Sequence, residues 1–491
     1  MKKTAVWIAA LWLALFAVSA QAMTMTGLET ESVAREWESS LFFARMEEAT
    51  GVAVEPHAIT DTKEYQKALS DMLEGNIPAD VLFKAELTRS QEQALLNAGA
   101  LVDLSPLIEE NMPNLSRLLA EHPEWKDVIA LEDGRIASLP MINDRERQVC
   151  IWINKAWLSA LQLDMPENVE ELTAALAAMR DSDPNGNLTN DEIAADLTGV
   201  WEMRWLLPYF GIVADDYNIA RVEGKAVFAP ELPVYRDFVE LLKEWTETGI
   251  LHDGAFTDVH GAALYEEKKE ETAATSAMMV SPMPYTHVPV DAITQYAALL
   301  MPGSDGVSVW RDMLGCVWTG AFAVTSTCDD PAAALRWADA LYSEAGAKLA
   351  YAGVEGTDYS YGSDGYWVYN MDGIRTMDTI RAEVLMYTGA TMPGIVPNDF
   401  LKDVASEPDR HVIAENARVL EVTQQVTPAY TLGAKEQARA NEINLQLAQL
   451  VDIGIARFAT GEMELSDENW NAWLESLREA GSEELTALFN E

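Results

Sequence analysis

Apolar residues along this chain follow two alternating rhythms, one of period two and one of period three to four. Met23–Leu28 reads as a short first strand. Ser32–Thr50 reads as a helix, with Val33 and Trp37 four apart and Gly51 as its stop. Val52–Val54 is a second strand. Glu64–Glu74 is a second helix, with Tyr65, Leu69 and Met72 on one face and Gly75 after it. Asp80–Phe83 is a third strand, apolar enough to be buried on both sides. Strands alternating with helices predict a parallel sheet with right-handed crossovers.

Further on, Leu87–Ala98 is helical, and Leu101–Leu104 follows Gly99 as a short apolar run. Glu132-Asp133-Gly134-Arg135 is a tight turn between Val128–Ala130 and Ile136–Leu139. Val149–Asn154 has high strand propensity. Asn168–Arg180 is a helix: Asn168 is a good N-cap, Glu171 sits three residues on, and Val169, Leu172, Leu176 and Met179 form its buried stripe. Trp201–Phe210 is rich in aromatics. Glu231–Thr248 is a long amphipathic helix. Ala277–Val280, Ala297–Met301 and Gly320–Thr325 are strands, and Pro331–Ala345 is helical. Val354–Tyr369 is a Gly/Tyr/Asp loop. From about Pro408 the chain is mostly helical and ends with Trp470, Trp473, Leu477 and Leu488. No repeat or disordered linker interrupts the pattern, so short hinge strands are expected to join the lobes.

At 491 residues the chain is too long for one core. Residues 1–22 read as a signal peptide: Lys2 and Lys3, an apolar run from Ala5 to Val18, then Ala20-Gln21-Ala22. That run is too short to span a membrane, and no later stretch of that kind follows. The mature chain is expected to start near Met23, periplasmic or extracellular, with no lipid anchor evident. Removing the two lysines moves the formal charge from −45 to −47. Such a surface repels phosphate backbones and excludes nucleic acid as a partner. Cys150, Cys316 and Cys328 allow one disulfide and leave one thiol; a Cys316–Cys328 bond would close a short loop, but the pairing is open.

One stretch carries distinctive chemistry. Asp181 to Glu192 places oxygen side chains at alternate positions, a glycine at the centre and an acid at the close. From Asp181 it fits D-x-[DN]-x-[DN]-G-x5-E, the EF-hand calcium pattern. In that register Asp181, Asp183, Asn185, the Asn187 carbonyl and Glu192 would surround one hard cation. Calcium suits so many oxygens on a flexible loop better than magnesium. The plain alternative is a solvated Asp/Asn/Gly turn. No G-x-S-x-G, H-E-x-x-H, P-loop or His/Cys cluster is present, and the six histidines are scattered, so no enzymatic activity is expected. A secreted carbohydrate-active enzyme and a calcium-dependent adhesion or sensor module are the alternatives.

Several stretches in order resemble one family: Pro78–Phe83, Asp133–Pro140, Ile151–Leu158, Asp183–Asn187 closing on Asp191-Glu192-Ile193, and Gly353–Tyr359. Together they resemble the extracellular solute-binding proteins of carbohydrate ABC importers, family 1, of the large oligosaccharide-binding type similar to alginate-oligosaccharide-binding proteins. The resemblance implies a type II periplasmic-binding-protein fold. Two α/β lobes, 23–145 with 297–375 and 146–296 with 376–491, would be joined by hinge strands around a central ligand cleft. It implies capture of an oligosaccharide by lobe closure, delivery to ABC permease subunits in the membrane, and a monomer.

The resemblance also implies a different calcium register. It takes Asp183, Asn185 and Asn187 as side-chain ligands, the Thr189 carbonyl, and Asp191 and Glu192 at the close. Leu188 departs from the glycine usual in the relatives. The Ca2+ would be structural. For the sugar, flat aromatic faces cover C–H surfaces and planar polar groups bond hydroxyls. Trp201, Arg204 and Trp205, at i, i+3 and i+4, are expected on one helical face, with core packing the alternative for Trp205. Relatives place cleft residues near Tyr285, and near the strand that Asp80 opens. Trp318, Glu355, Tyr359 and Tyr361 complete the candidates. Asp80 equally fits a structural cap, because open α/β sheets bind ligands at their carboxyl edge.

Overall fold

The computed structural model of the chain describes residues 22–29, 36–131, 133–144, 149–189, 191–252, 254–256, 276–281, 284, 287–302, 308–311, 317–426, 432 and 434–490. The signal segment falls outside them, apart from Ala22. The strands of the two larger sheets are, in chain order, β1 (Met23–Leu28), β2 (Val54–Ile59), β3 (Val81–Phe83), β4 (Leu139–Ile142), β5 (Cys150–Asn154), β6 (Ile193–Asp196), β7 (Ser276–Ser281), β8 (Tyr296–Ala298), β9 (Val317–Val324) and β10 (Gly394–Ile395).

The chain divides into two compact units. The first takes the described residues to Met141, with Trp318–Asp358 and Asn370–Ile395. Its sheet has the order β10-β4-β9-β3-β1-β2. As the alternation predicts, β1 runs parallel to β2 and β3, while β9 is antiparallel to β3. The helix Leu41–Thr50 begins at Ser40, whose side chain accepts from Phe42 N, and ends at left-handed Gly51. Thr62–Leu73 is capped by Asp61 and buries Tyr65, Leu69 and Met72. Phe42, Phe43, Phe83 and Trp337 form an edge-to-face and stacked aromatic cluster. Gly27 is required beside it, because a Cβ there would lie 1.6 Å from the Phe83 carbonyl oxygen.

The second unit takes the described residues of Ile142–Val317, Tyr359–Tyr369 and Val396–Glu491. Its sheet order is β8-β5-β7-β6. Strand β6 is parallel to β7, and β5 is antiparallel to β7 and β8. All five residues of β5 are buried, which suits a strand covered on both faces. Helices Val169–Asp181, Pro233–Thr248, Ala434–Ala459 and Asp467–Glu479 contribute to one continuous core. Among the described residues no helix is long and apolar enough to cross a membrane.

Several expectations shift. The stretch before the 132–135 turn is the end of a helix: Pro123 opens it, it runs to Ile129, and it buries Trp125 and Ile129, four apart. Leu101–Leu104 yields only a bridge from Leu101 to Thr325. The helix from Pro331 stops at Asp339, turns through Ala340–Tyr342, and restarts at Glu344 under a Ser343 cap. The described residues of 297–317 fall in the second unit, because β8 pairs with β5. Residues 359–369 fall there too, since Trp367 packs on Phe400. Residues 376–395 fall in the first, where Met386 N donates to Ala350 O and β10 joins the sheet.

Candidate functional site

The helix Val169–Asp181 starts as its sequence predicts, with Asn168 Oδ1 accepting from Glu171 N at 2.9 Å. The reciprocal bond of a capping box is replaced: Glu171 Oε2 accepts from Glu167 N instead. At the other end, the Asp181 carboxylate is taken up by Arg180, 2.7 Å from Nε and 2.9 Å from Nη2. Asp181 is thus engaged away from the loop that follows. Asp183 organises that loop. Its Oδ1 accepts from Asn187 N at 3.0 Å and its Oδ2 from Leu188 N at 2.9 Å. Asn185 Oδ1 also accepts from Asn187 N, and Asn187 Oδ1 from Thr189 N. The Asn187 amide nitrogen lies 3.1 Å from Asp191 Oδ1, and that of Asn185 at 3.4 Å. Gly186 and Leu188 both take positive φ, +73° and +64°. Leu188 occupies a conformation that favours glycine, and its side chain stands in solvent.

Glu192 closes this loop with both carboxylate oxygens buried and without a hydrogen-bond partner. Burial raises its pKa, and the charges of Asp191 and Asp183 add to the effect. An acid pair crowded beside a third carboxylate, with two orphaned oxygens, is an arrangement that a cation would relieve. Among the described residues no group of three or more His, Cys, Asp and Glu is placed to hold a metal. Any cation here must therefore draw on the Asn amides and main chain as well.

From this loop the chain enters β6, and ligands of open α/β sheets gather at carboxyl edges. The edge of β6 leads through Leu197 and Thr198 into a one-turn helix, Gly199–Met203. Trp201 stands on that turn, 43% exposed. The expected shared face of Trp201, Arg204 and Trp205 does not form. The α-turn ends at Met203 and continues as a 3₁₀ turn, Arg204–Phe210, which changes the angle between successive residues. Arg204 therefore turns to an ion pair with Asp452. Trp205 is 2% exposed and packs 5.9 Å from Trp310 in the core, touching Trp201 edge-on at 6.3 Å.

Glu202, beside Trp201, was not singled out from the sequence. It is nearly buried, and its Oε2 accepts from Thr198 N at 2.6 Å. Burial, with Asp196 nearby, pushes its carboxyl up to about 8. No motif marks it; only the packing of the turn does.

Tyr359 is also core. It lies in the hairpin Tyr359–Tyr361 with Trp367–Tyr369, 5.7 Å from Trp367 and 5.2 Å from Phe400. Its neighbour Tyr361 faces out, 44% exposed. Glu355 is exposed on the turn after Gly353. That turn is held by Asp358, which is fully buried, accepts from Val354 N, and pairs with Arg45 at 2.7 Å and with Arg375.

In the first unit, Asp80 sits at the amino edge of β3. Its Oδ2 accepts from Thr24 N at 2.8 Å and Thr24 Oγ1 at 2.7 Å, and its own N–H donates back to Thr24. It is the strand cap, on the edge opposite the carboxyl edge, where open α/β sheets as a class bind ligands. At the carboxyl edge, Lys84 and Glu86 both have positive φ, +53° and +47°. Strain at non-glycine residues in such a position marks a constrained site. Glu86 is exposed and accepts from Thr391 N. The chain here still pairs with the start of β9, Ala85 N to Ala321 O and Leu87 N to Gly320 O, which places half-buried Trp318 beside the same edge. Tyr387, half-exposed and stacked on Tyr351 at 4.4 Å, precedes Thr388, whose carbonyl takes the Lys84 ammonium. Glu86 and Tyr387 were missed because only strand order reveals which edge they occupy. Tyr285 and Cys316 lie outside the described residues; Cys150 is buried and Cys328 half-buried.

The sequence profile of the bacterial extracellular solute-binding proteins matches residues 31–348. The chain belongs to that family. Among curated relatives of this solute-binding protein, the fructooligosaccharide ABC transporter substrate-binding protein FusA of Streptococcus pneumoniae is 30% identical over 233 residues. That match covers 44% of this chain and 42% of FusA, so the chain matches less than half the length of that relative. Solved structures align over nearly the whole chain. An HMO-binding, ABC-transporter-associated solute-binding protein from Bifidobacterium longum infantis gives a TM-score of 0.79 at 18% identity, covering 96% of this chain and 97% of that one. An EF-hand mutant of S. pneumoniae FusA in complex with fructo-nystose gives 0.75 at 18%, covering 96% and 98%. Alginate-binding protein AlgQ2 without calcium ion gives 0.67 at 18%, covering 96% and 98%. At these identities the likeness establishes the fold, the two-lobe type II periplasmic-binding-protein architecture.

Proposed function

We propose that the chain is the substrate-binding component of a carbohydrate ABC transporter, taking an oligosaccharide and delivering it to membrane permease subunits. Export by the signal segment 1–22 would place it in the periplasm or outside the cell. The observation that carries the reading is Trp201, an exposed aromatic held at the carboxyl edge of β6 within a solute-binding fold. An indole face covers the C–H side of a pyranose or furanose ring. The partial match to FusA favours a sugar ligand over an amino acid or metal.

The loop Asp183–Glu192 would hold a structural calcium ion in the register that starts at Asp183. Asp183, Asn185, Asn187, Asp191 and Glu192 supply side-chain oxygens, and Thr189 its carbonyl. Support comes from Asp181 being spent on Arg180 and from the partnerless oxygens of Glu192. Calcium would neutralise the crowded carboxylates and fix the approach of Val169–Asp181 to β6; it would take no part in chemistry. A thermal-shift screen against a glycan panel that includes fructo-nystose, with and without calcium, tests both parts. Stabilisation by no glycan would sink the carbohydrate reading, and so would product release beyond one equivalent.

A further inference from the structure

At the carboxyl edge of the first unit's sheet the backbone is held in an unfavourable shape. Lys84 and Glu86 both take positive φ, +53° and +47°, a region that suits glycine. Neither is free to relax. Leu28 N donates to Lys84 O, and Ala85 N and Leu87 N, on either side of Glu86, donate to Ala321 O and Gly320 O of β9. Burial accounts for Lys84, whose ammonium meets Glu29 and Thr388 O inside the unit. It does not account for Glu86, which is exposed. The Glu86 carboxylate makes one hydrogen bond among the described residues, from Thr391 N to Oε1. That bond fixes the side chain and leaves Oε2 to accept from outside.

The segment tied to both side chains carries an aromatic. Tyr387 precedes Thr388, which receives Lys84, and Thr391, which donates to Glu86. Its ring lies flat on buried Tyr351, 4.4 Å away and 5° from parallel. One face is covered, so the ring surface that Tyr387 exposes belongs to the other face and the rim. A flat ring beside an exposed carboxylate supplies what a sugar requires, one group for its C–H side and one for its hydroxyls.

Charge decides which sugar. The cations closest to Glu86 along the chain are engaged: Lys84 by Glu29, with both side chains fully buried, and Arg89 by Glu92 and the carbonyls of Ile129 and Ala130. A carboxylate accepts hydroxyl groups in charge-assisted hydrogen bonds. It repels a second carboxylate, and two like charges about 4 Å apart weaken binding by about fivefold even at the dielectric constant of water.

We propose that Glu86 is a specificity residue: beside Tyr387, it accepts hydroxyl groups of a neutral oligosaccharide and turns away uronate oligomers. This role rests on the carbohydrate reading given above, which it narrows to neutral sugars.

Calorimetric titration with three neutral oligosaccharides (fructo-nystose, maltopentaose and mannopentaose) and two uronates of similar length, tetragalacturonate and tetramannuronate, tests it. At low salt the wild type should bind a neutral sugar, and bind either uronate at least about fivefold more weakly. Added salt should narrow that gap. Glu86→Gln keeps an acceptor for Thr391 N and carries no charge. It should weaken the neutral sugar several-fold, narrow the gap to the uronates, remove its salt dependence, and leave the ligand-free melting temperature unchanged. Tyr387→Leu should weaken the neutral sugar about tenfold and leave the gap as it is. A uronate bound by the wild type as tightly as the best neutral sugar overturns the assignment without any variant. So does a Glu86→Gln protein that keeps both its affinity and its gap, since the carboxylate then serves Thr391 alone. Where that variant melts early, the wild-type gap and its salt dependence decide. Binding of no sugar of either class overturns the carbohydrate reading itself.

Discussion

The Lys84 ammonium lies 3.0 Å from both carboxylate oxygens of Glu29, and neither side chain is exposed. Trp37 Nε1 donates to Glu29 Oε2 at 3.1 Å, and the Lys84 ammonium also reaches Thr388 O at 2.7 Å. These two residues follow β1 and β3, so the pair locks the carboxyl edge of the first unit's sheet. It also explains how Lys84 keeps a positive φ. Removing one partner strands the other charge in a dry interior. Glu29→Ala should cost about 3–5 kcal/mol, read as a drop in denaturant midpoint. A near-neutral result would mean that water reaches the site.

Trp201 and Trp205 should respond in opposite ways. Trp201→Ala removes an exposed ring and should weaken glycan binding about tenfold, with little change in melting temperature. Trp205→Ala empties a core site and should cost about 3–5 kcal/mol of stability. Calorimetric titration and thermal melts of both variants check this. Unfolding of Trp201→Ala with affinity retained would make that residue core as well.

Chelation should lower the melting temperature, and Glu192→Ala should abolish the calcium effect. At free calcium 100-fold above its dissociation constant, the ion adds about 2.7 kcal/mol to stability. Asp181→Ala should leave the calcium response intact, because that carboxylate is bound to Arg180. Equal loss in Asp181→Ala and Glu192→Ala would restore the EF-hand register.

Stability should fall as pH rises from about 4.5 to about 8 through Glu202. The native state holds this proton more tightly than the unfolded chain. Below the unfolded value both forms are protonated and the contribution is complete. Between the two values the unfolded chain alone loses its proton, which favours unfolding; above the native value the loss is complete. The effect is on the order of 5 kcal/mol across the window. Denaturant titrations of the wild type and Glu202→Gln at stepped pH measure it, as the difference between the two slopes. Parallel curves would show that the carboxyl ionises in the folded protein without penalty.

Gly320 takes φ +80°, and a Cβ there would lie 2.1 Å from the Leu87 carbonyl oxygen. Gly320→Ala should therefore push the Glu86–Leu87 segment off the start of β9. The expected result is a loss of stability greater than the roughly 1 kcal/mol typical of point changes, together with weaker glycan binding. Wild-type melting in this variant would show that the backbone approach is loose.

Local chemistry was legible wherever the cause is local. Asn168 as a cap, the Tyr65–Leu69–Met72 stripe and the turn geometry at Gly186 all follow from side-chain periodicity and backbone preference within a few residues. The oxygen-rich loop was visible for the same reason, since its hydrogen bonds close within six positions. That Arg180 takes up the Asp181 carboxylate was not, because nothing in the spacing records it.

The sequence by itself determined that this is an α/β chain with two cores, an oxygen-lined loop and an aromatic turn after it. Only the tertiary structure decided which aromatics face solvent. Trp201 and Trp205 differ by one helical turn, and a change from α to 3₁₀ winding at Met203 sends one to water and the other to Trp310. Asp80 and Glu86 differ by six residues, and the direction of β3 puts them at opposite edges of the sheet. Glu202 shows no signal in composition or spacing, because its character comes from burial and from Asp196, brought close by the turn after β6. Exposure and electrostatic environment depend on what packs against a residue, and its partners lie far along the chain or across a turn whose winding the pattern does not record.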